Sequence, residues 1–146
     1  MIFIHKIVIS FFYVGYVKYA PGTVSSLLML IIFFFIPNNI ITQFIFLFSV
    51  FLIGFCLCYY HSLKSAIKDP SFIVIDEVAG MSLSLFMVPK ELYLYVLAFI
   101  LFRIFDIYKP LVIDKSQKFN FGIGIMLDDL LAGLFTSIII WILILW

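Results

Sequence analysis

The sequence is short of charge. Lys, Arg, Asp and Glu supply 12% of its 146 residues, against about 25% in soluble domains, so a water-facing surface cannot be assembled from them. Net charge is +1 and no run of Lys or Arg occurs, which argues against RNA or DNA as a partner. Cysteine is confined to Cys56 and Cys58, two apart in an apolar run, where a helix turns them to nearly opposite faces. They read as inert residues facing lipid or core. His5 and His61 read as isolated residues with no Cys/His metal spacing, and neither Cys has the basic, exposed setting of a nucleophile. Internal repeats and low-complexity linkers are also missing, so one domain over residues 1–146 is expected.

What the chain does have is apolar surface, with 66% of its residues hydrophobic. The partner this implies is lipid. Apolar runs broken by short polar segments predict an all-α, polytopic integral membrane bundle of about five membrane helices, at 23–37, 40–60, 72–88, 92–107 and 125–146. Several are shorter than the roughly 20 residues that span a bilayer core, so some should stop short. The first 17 residues are expected as a further helix at the interface, or packed among the others. They are not read as a cleaved secretory signal, because no small-residue cleavage pattern follows them.

Basic residues set the orientation, since they are retained on the cytoplasmic side. Lys6, Lys18, Lys64, Lys68, Arg103, Lys109, Lys115 and Lys118 fall on one side of a five-helix arrangement, and Lys90 alone falls on the other. The same side gathers Asp69, Asp76, Glu77, Asp106, Asp114, Asp128 and Asp129, and only Glu91 lies elsewhere. Asp76, Glu77, Asp128 and Asp129 sit about one turn inside their helices. Exposed to hydrocarbon and unpaired, they would cost about 2.5 to 3.5 kcal/mol each, or roughly 10 to 14 kcal/mol together. They should therefore face the bundle interior and meet a cation. Carboxylate clusters favour hard ions such as Mg²⁺ or Mn²⁺. Simple pairing with Arg103, Lys109 and Lys68 leaves surplus negative charge.

Other residues fit a phosphate site. Arg103, Asp106 and Lys109 follow one another at helical spacing, an acid between two bases, and Arg offers phosphate a bidentate partner. Residues 20–23, Ala-Pro-Gly-Thr, open a helix whose amides and Thr23 hydroxyl could cradle an anion. Asp69-Pro70 reads as a helix cap, with a catalytic Asp69 left open.

These motifs together resemble the phosphatidylglycerophosphatase A family. The resemblance is carried by Ala20-Pro21-Gly22-Thr23 with Ser25-Ser26, Asp69-Pro70 before Ile75-Asp76-Glu77-Val78-Ala79-Gly80, Phe102-Arg103 to Asp106 with Lys109-Pro110, and Gly124 to Gly133 around Asp128-Asp129. Lys18, Ser25 and Val112 depart from the family pattern in the loops. The resemblance implies a Mg²⁺-dependent enzyme of the bacterial inner (cytoplasmic) membrane that hydrolyses phosphatidylglycerophosphate to phosphatidylglycerol and phosphate. Its acidic site carries over to Asp76, Glu77, Asp106, Asp128 and Asp129.

The expected roles follow. Asp76, Asp128 and Asp129 would hold the metal; Glu77 or Asp106 would orient or deprotonate a water, with Asp76 and Asp129 essential to catalysis; Arg103, Lys109 and Thr23 would bind the substrate phosphate. Direct water attack is preferred over an aspartyl-phosphate intermediate. The rival class is an ion or proton translocator using the intramembrane acids, for which acids spread through the bilayer depth would be expected.

Overall fold

The computed structural model describes residues 2–64, 70–109 and 123–146. Their regular structure is helical throughout: α1 (Ile2–Ile9), α2 (Pro21–Phe35), α3 (Ile40–Lys64), α4 (Ile75–Ser84), α5 (Leu92–Tyr108) and α6 (Ile123–Leu145), with a 3₁₀ turn at Val14–Tyr16. At about 1.5 Å per residue, the 25 residues of α3 and 23 of α6 reach about 37 and 34 Å. Both exceed the roughly 30 Å of a bilayer core. By length and composition these two helices are the ones able to cross a membrane among the described residues. Only 11% of the most apolar stretch of α3 is buried, and Phe44, Phe48 and Leu52 lie about half exposed along it. A helix so apolar and so bare needs an apolar surrounding.

Five full spans are not what the lengths support. The expected third span, 72–88, contracts to the ten residues of α4, about 15 Å. Its far end is stopped by tertiary contacts that hydropathy does not register. Met87 takes a left-handed conformation (φ 59°), and its amide donates to the Gln43 side chain of α3 at 2.7 Å. Gln43 is fully buried and itself donates to Asn38 at 3.0 Å. Pro89 follows and cannot continue a helix. Protein surrounds this end of α4 and satisfies the Met87 amide.

α4 is the centre of the bundle, in contact with α2, α3, α5 and α6. Its tightest neighbour is α6. A Cβ on Gly80 would lie 2.5 Å from the Asp129 carbonyl oxygen, and one on Gly133 would collide with the Gly80 carbonyl. The two backbones therefore touch, as only small residues at the crossing allow. Gly80 lies one turn beyond Asp76 and Gly133 one turn beyond Asp129, so the close approach also sets the depth at which these acids meet.

Of the two expected placements of the N-terminal helix, packing among the others is the one observed, with α1 against α3. His5 Nε2 lies 3.2 Å from the Leu57 carbonyl of α3, and the Val74 amide bonds the Ile9 carbonyl at 3.1 Å. One end of the bundle thus gathers the N-termini of α2, α4 and α6 with the C-termini of α3 and α5.

Candidate active site

At that end a cavity of about 370 Å³ opens between α2, α4, α5 and α6. α2 contributes Ala20, Pro21 and Gly22, α4 contributes Asp76 and Glu77, α5 contributes Arg103, Asp106 and Lys109, and α6 contributes Ile125, Asp128 and Asp129. Three helix N-termini point toward it, and their partial positive charges favour an anion there. Ala20 turns the chain into α2 from a left-handed conformation (φ 46°, ψ 57°), with Pro21 at the first helical position. Ser25 and Ser26 donate back to the Gly22 carbonyl at 2.8 and 2.7 Å.

Five carboxylates face two bases in this cavity, and the bases are already engaged. Arg103 pairs with Asp106 at 2.5 Å and Lys109 with Asp128 at 2.6 Å. Burial opposes the charge on Lys109, but the hydrogen bond and charge of Asp128, with Asp129 and Asp106 behind it, outweigh that and raise its pKa above the usual lysine range. Among the described residues no ion pair reaches Asp76, Glu77 or Asp129. These three come together, each offering an oxygen within 4.8 Å of the others. Such a donor set fits a hard divalent cation. Two buried polar atoms beside it, Glu77 Oε2 and Arg103 Nε, have no hydrogen-bond partner among the described residues. A site that leaves an acceptor and a donor unmatched in its interior is built for something that enters it.

Most of the residues expected from sequence converge here. Glu77, expected with Asp106 as a candidate to orient or deprotonate water, also stands inside the carboxylate trio, and Asp128, expected as a metal ligand, pairs with Lys109 beside it. Helical geometry explains the split, because Asp128 and Asp129 project about 100° apart and only one can face Asp76. Thr23, expected to bind the phosphate, is not among the residues that line the cavity. Asp69 and Asp114 lie outside the described residues.

Sequence reasoning gave no role to Ser26, fully buried, whose hydroxyl lies 3.5 Å from Arg103. It also missed Gly22 as a contact surface: a Cβ there would collide with Glu77 Oε1 and lie 3.0 Å from its Cδ. The Ala-Pro-Gly-Thr-x-Ser-Ser spacing held that information only for a reader who already knew that α2 and α4 meet.

Residues 7–144 match the family model for phosphatidylglycerophosphatase A. The chain belongs to that family. A Haemophilus influenzae phosphatidylglycerophosphatase A is 33% identical over 136 residues, covering 90% of this chain and 83% of the relative. An Escherichia coli phosphatidylglycerophosphatase A is 31% identical over 126 residues, covering 80% and 70%. A Bacteroides thetaiotaomicron relative, provisionally named a phosphatidylinositol-3-phosphatase, is 38% identical over 134 residues, covering 86% and 84%. No solved structure matches the chain.

Proposed function

We propose that this protein is a membrane-embedded phosphatase that hydrolyses phosphatidylglycerophosphate to phosphatidylglycerol and phosphate at the cytoplasmic leaflet of a bacterial inner membrane. The observation that carries the reading is the unpaired trio Asp76, Glu77 and Asp129, set beside Arg103 and Lys109 in one cavity. Family membership and the names of the Haemophilus influenzae and Escherichia coli relatives supply the substrate. Lys6, Lys18, Lys64, Arg103 and Lys109 belong to the cavity end or the segments leading to it. Lys90 lies at the other end, 5.8 Å from the Phe34 ring near the end of α2. The positive-inside bias supports a cavity at the cytoplasmic face.

Asp76, Glu77 and Asp129 would hold Mg²⁺. Bound there, it would polarise the phosphoryl oxygens and lower the pKa of water. The remaining work falls to the chain itself. Arg103, held by Asp106 and Ser26, and Lys109, held by Asp128, are placed to take the phosphate oxygens and to offset their charge in the transition state. Glu77 Oε2, with no other partner, is the acceptor for the proton of the attacking water. The water oxygen forms its bond to phosphorus as the ester oxygen leaves, and that oxygen is protonated as phosphatidylglycerol departs. The α4 and α6 backbones, in contact through Gly80 and Gly133, fix the acids so that little reorganisation is needed.

The Bacteroides thetaiotaomicron relative motivates a second substrate, a phosphoinositide monoester. Both lipids present a phosphomonoester on a head group above two acyl chains. A transport role is less well supported, because Glu91 is the sole acid at the far end of the bundle among the described residues and no acidic path crosses it. Phosphate release from phosphatidylglycerophosphate, phosphatidylinositol 3-phosphate and phosphatidic acid by the purified protein tests the assignment. Highest kcat/KM on the first is expected. Preference for the phosphoinositide would replace the substrate, and release from none would remove the phosphatase reading.

A further inference from the structure

A second cavity, of about 310 Å³, lies on the other side of α4 from the carboxylates, and its lining is apolar. Its floor is the buried trio Met29, Ile75 and Val78. Its rims are Ile32 of α2 and Ile53 of α3, each exposed over roughly two fifths to one half of its surface (41% and 49%). The cavity is therefore a groove open sideways to the surroundings, with its inner wall on the bundle core. In hydrocarbon such a groove is filled by an acyl chain, because a bare cleft would forfeit the dispersion contacts of its lining.

Two observations tie the groove to the site. Ile75 and Val78, in its floor, flank Asp76 and Glu77 on the same two turns of α4, so groove and carboxylates start at one depth. The groove's upper wall is the turn after α1, where Phe11, Phe12 and Tyr13 take left-handed conformations in succession (φ 46°, 56° and 69°). Aromatic side chains rarely adopt that region, and such strain persists where surrounding contacts impose it. The contacts are present. Ser10, fully buried, donates to the Lys6 carbonyl at 2.6 Å and accepts from the Tyr13 amide at 3.1 Å, and Phe12 bonds the Ile7 carbonyl at 2.7 Å. A relaxed, helical continuation of α1 would not turn Phe11 and Phe12 over the head of the groove.

We propose that this groove binds one acyl chain of the phospholipid whose phosphate enters the carboxylate cavity, an inference that rests on the lipid-phosphatase reading above. The test uses the full-length protein in detergent with phosphatidylglycerophosphate carrying either dioleoyl or dihexanoyl chains. Val50 of α3, half-buried in the groove wall, is changed to Trp to fill it, and Ile53→Trp serves as a second filling variant. The expected result is a rise of about tenfold in KM for the dioleoyl lipid at nearly constant kcat, with dihexanoyl kinetics unchanged. Equal loss on both lipids, or on neither, would overturn the proposal. A second measurement needs neither variant folding nor turnover: a diazirine in the acyl chain of the phosphatase substrate should label residues 46–53 of the wild-type protein. Equal labelling by a diazirine phosphatidylcholine would make the occupant bulk lipid, and a crosslinked dimer would make the groove an interface between copies. Either result overturns the proposal. Absence of phosphate release by the wild type, with selective labelling intact, would count against the catalytic reading and leave the groove standing.

Discussion

Gly22→Ala puts a methyl group where Glu77 Oε1 now sits, 3.0 Å from the Glu77 Cδ and 3.4 Å from the nearest Arg103 nitrogen. Comfortable contact between heavy atoms lies near 3.5 to 4.0 Å, so the carboxylate must retreat by roughly 1 Å. It is the end of a rotatable side chain and can do so without disturbing backbone. Gly22 lies in the first turn of α2, where alanine is favoured over glycine by roughly 0.5 to 1 kcal/mol. The fold should therefore be unharmed or slightly more stable, while a misplacement of about 1 Å at a reacting group can cost on the order of a hundredfold in rate. The assay is kcat for phosphate release beside the thermal midpoint of the same preparation. Wild-type kcat, or a lowered midpoint, would refute the placement of Glu77 against α2.

Gly80→Ala should behave oppositely. Its Cβ would meet the Asp129 carbonyl at 2.5 Å and Phe102 at 2.7 Å, and overpacking of this kind costs about 1 to 3 kcal/mol, read as a lower thermal midpoint before any kinetic effect is measured. Saturating Mg²⁺ should raise the wild-type midpoint over that in chelator, by the equivalent of about 2.7 kcal/mol at a hundredfold excess over Kd; identical midpoints would count against a metal at the trio. Asp128→Asn removes the partner of Lys109 and spares Asp76, Glu77 and Asp129. It should raise KM yet leave the Mg²⁺ stabilisation in place, and loss of that stabilisation would return Asp128 to the metal ligands.

Much of this arrangement was legible in the sequence because a charge inside an apolar run is informative. An acid within an apolar run must be explained, and Asp76, Glu77, Asp106, Asp128 and Asp129 all converge where the fold-back of the helices put them. Four of the five long helices appear near their expected positions, since hydrophobic runs mark them directly. The fifth, α4, was overextended because Phe86, Met87 and Val88 are apolar. Its end is set by Gln43, 44 residues away, which no local pattern reveals. The division of labour between Asp128 and Asp129 was hidden for a related reason: spacing shows that they diverge but not which one faces α4. Gly22 reads as helix-start chemistry and Ser26 as part of the family motif alone, until the packing of α2 against Glu77 and Arg103 gives them contacts.

Phosphate release from phosphatidylglycerophosphate by the wild type and by Asp76→Asn, Glu77→Gln and Asp129→Asn, at matched protein level and across a Mg²⁺ titration, bears most directly on the claim that the unpaired trio performs the chemistry. Each substitution keeps side-chain shape and removes one charge. The expected result is Mg²⁺-dependent release by the wild type and a loss of at least about a hundredfold in kcat for every variant, with membrane expression retained. Substantial release by Asp76→Asn or Asp129→Asn, or wild-type release indifferent to chelation, would contradict it.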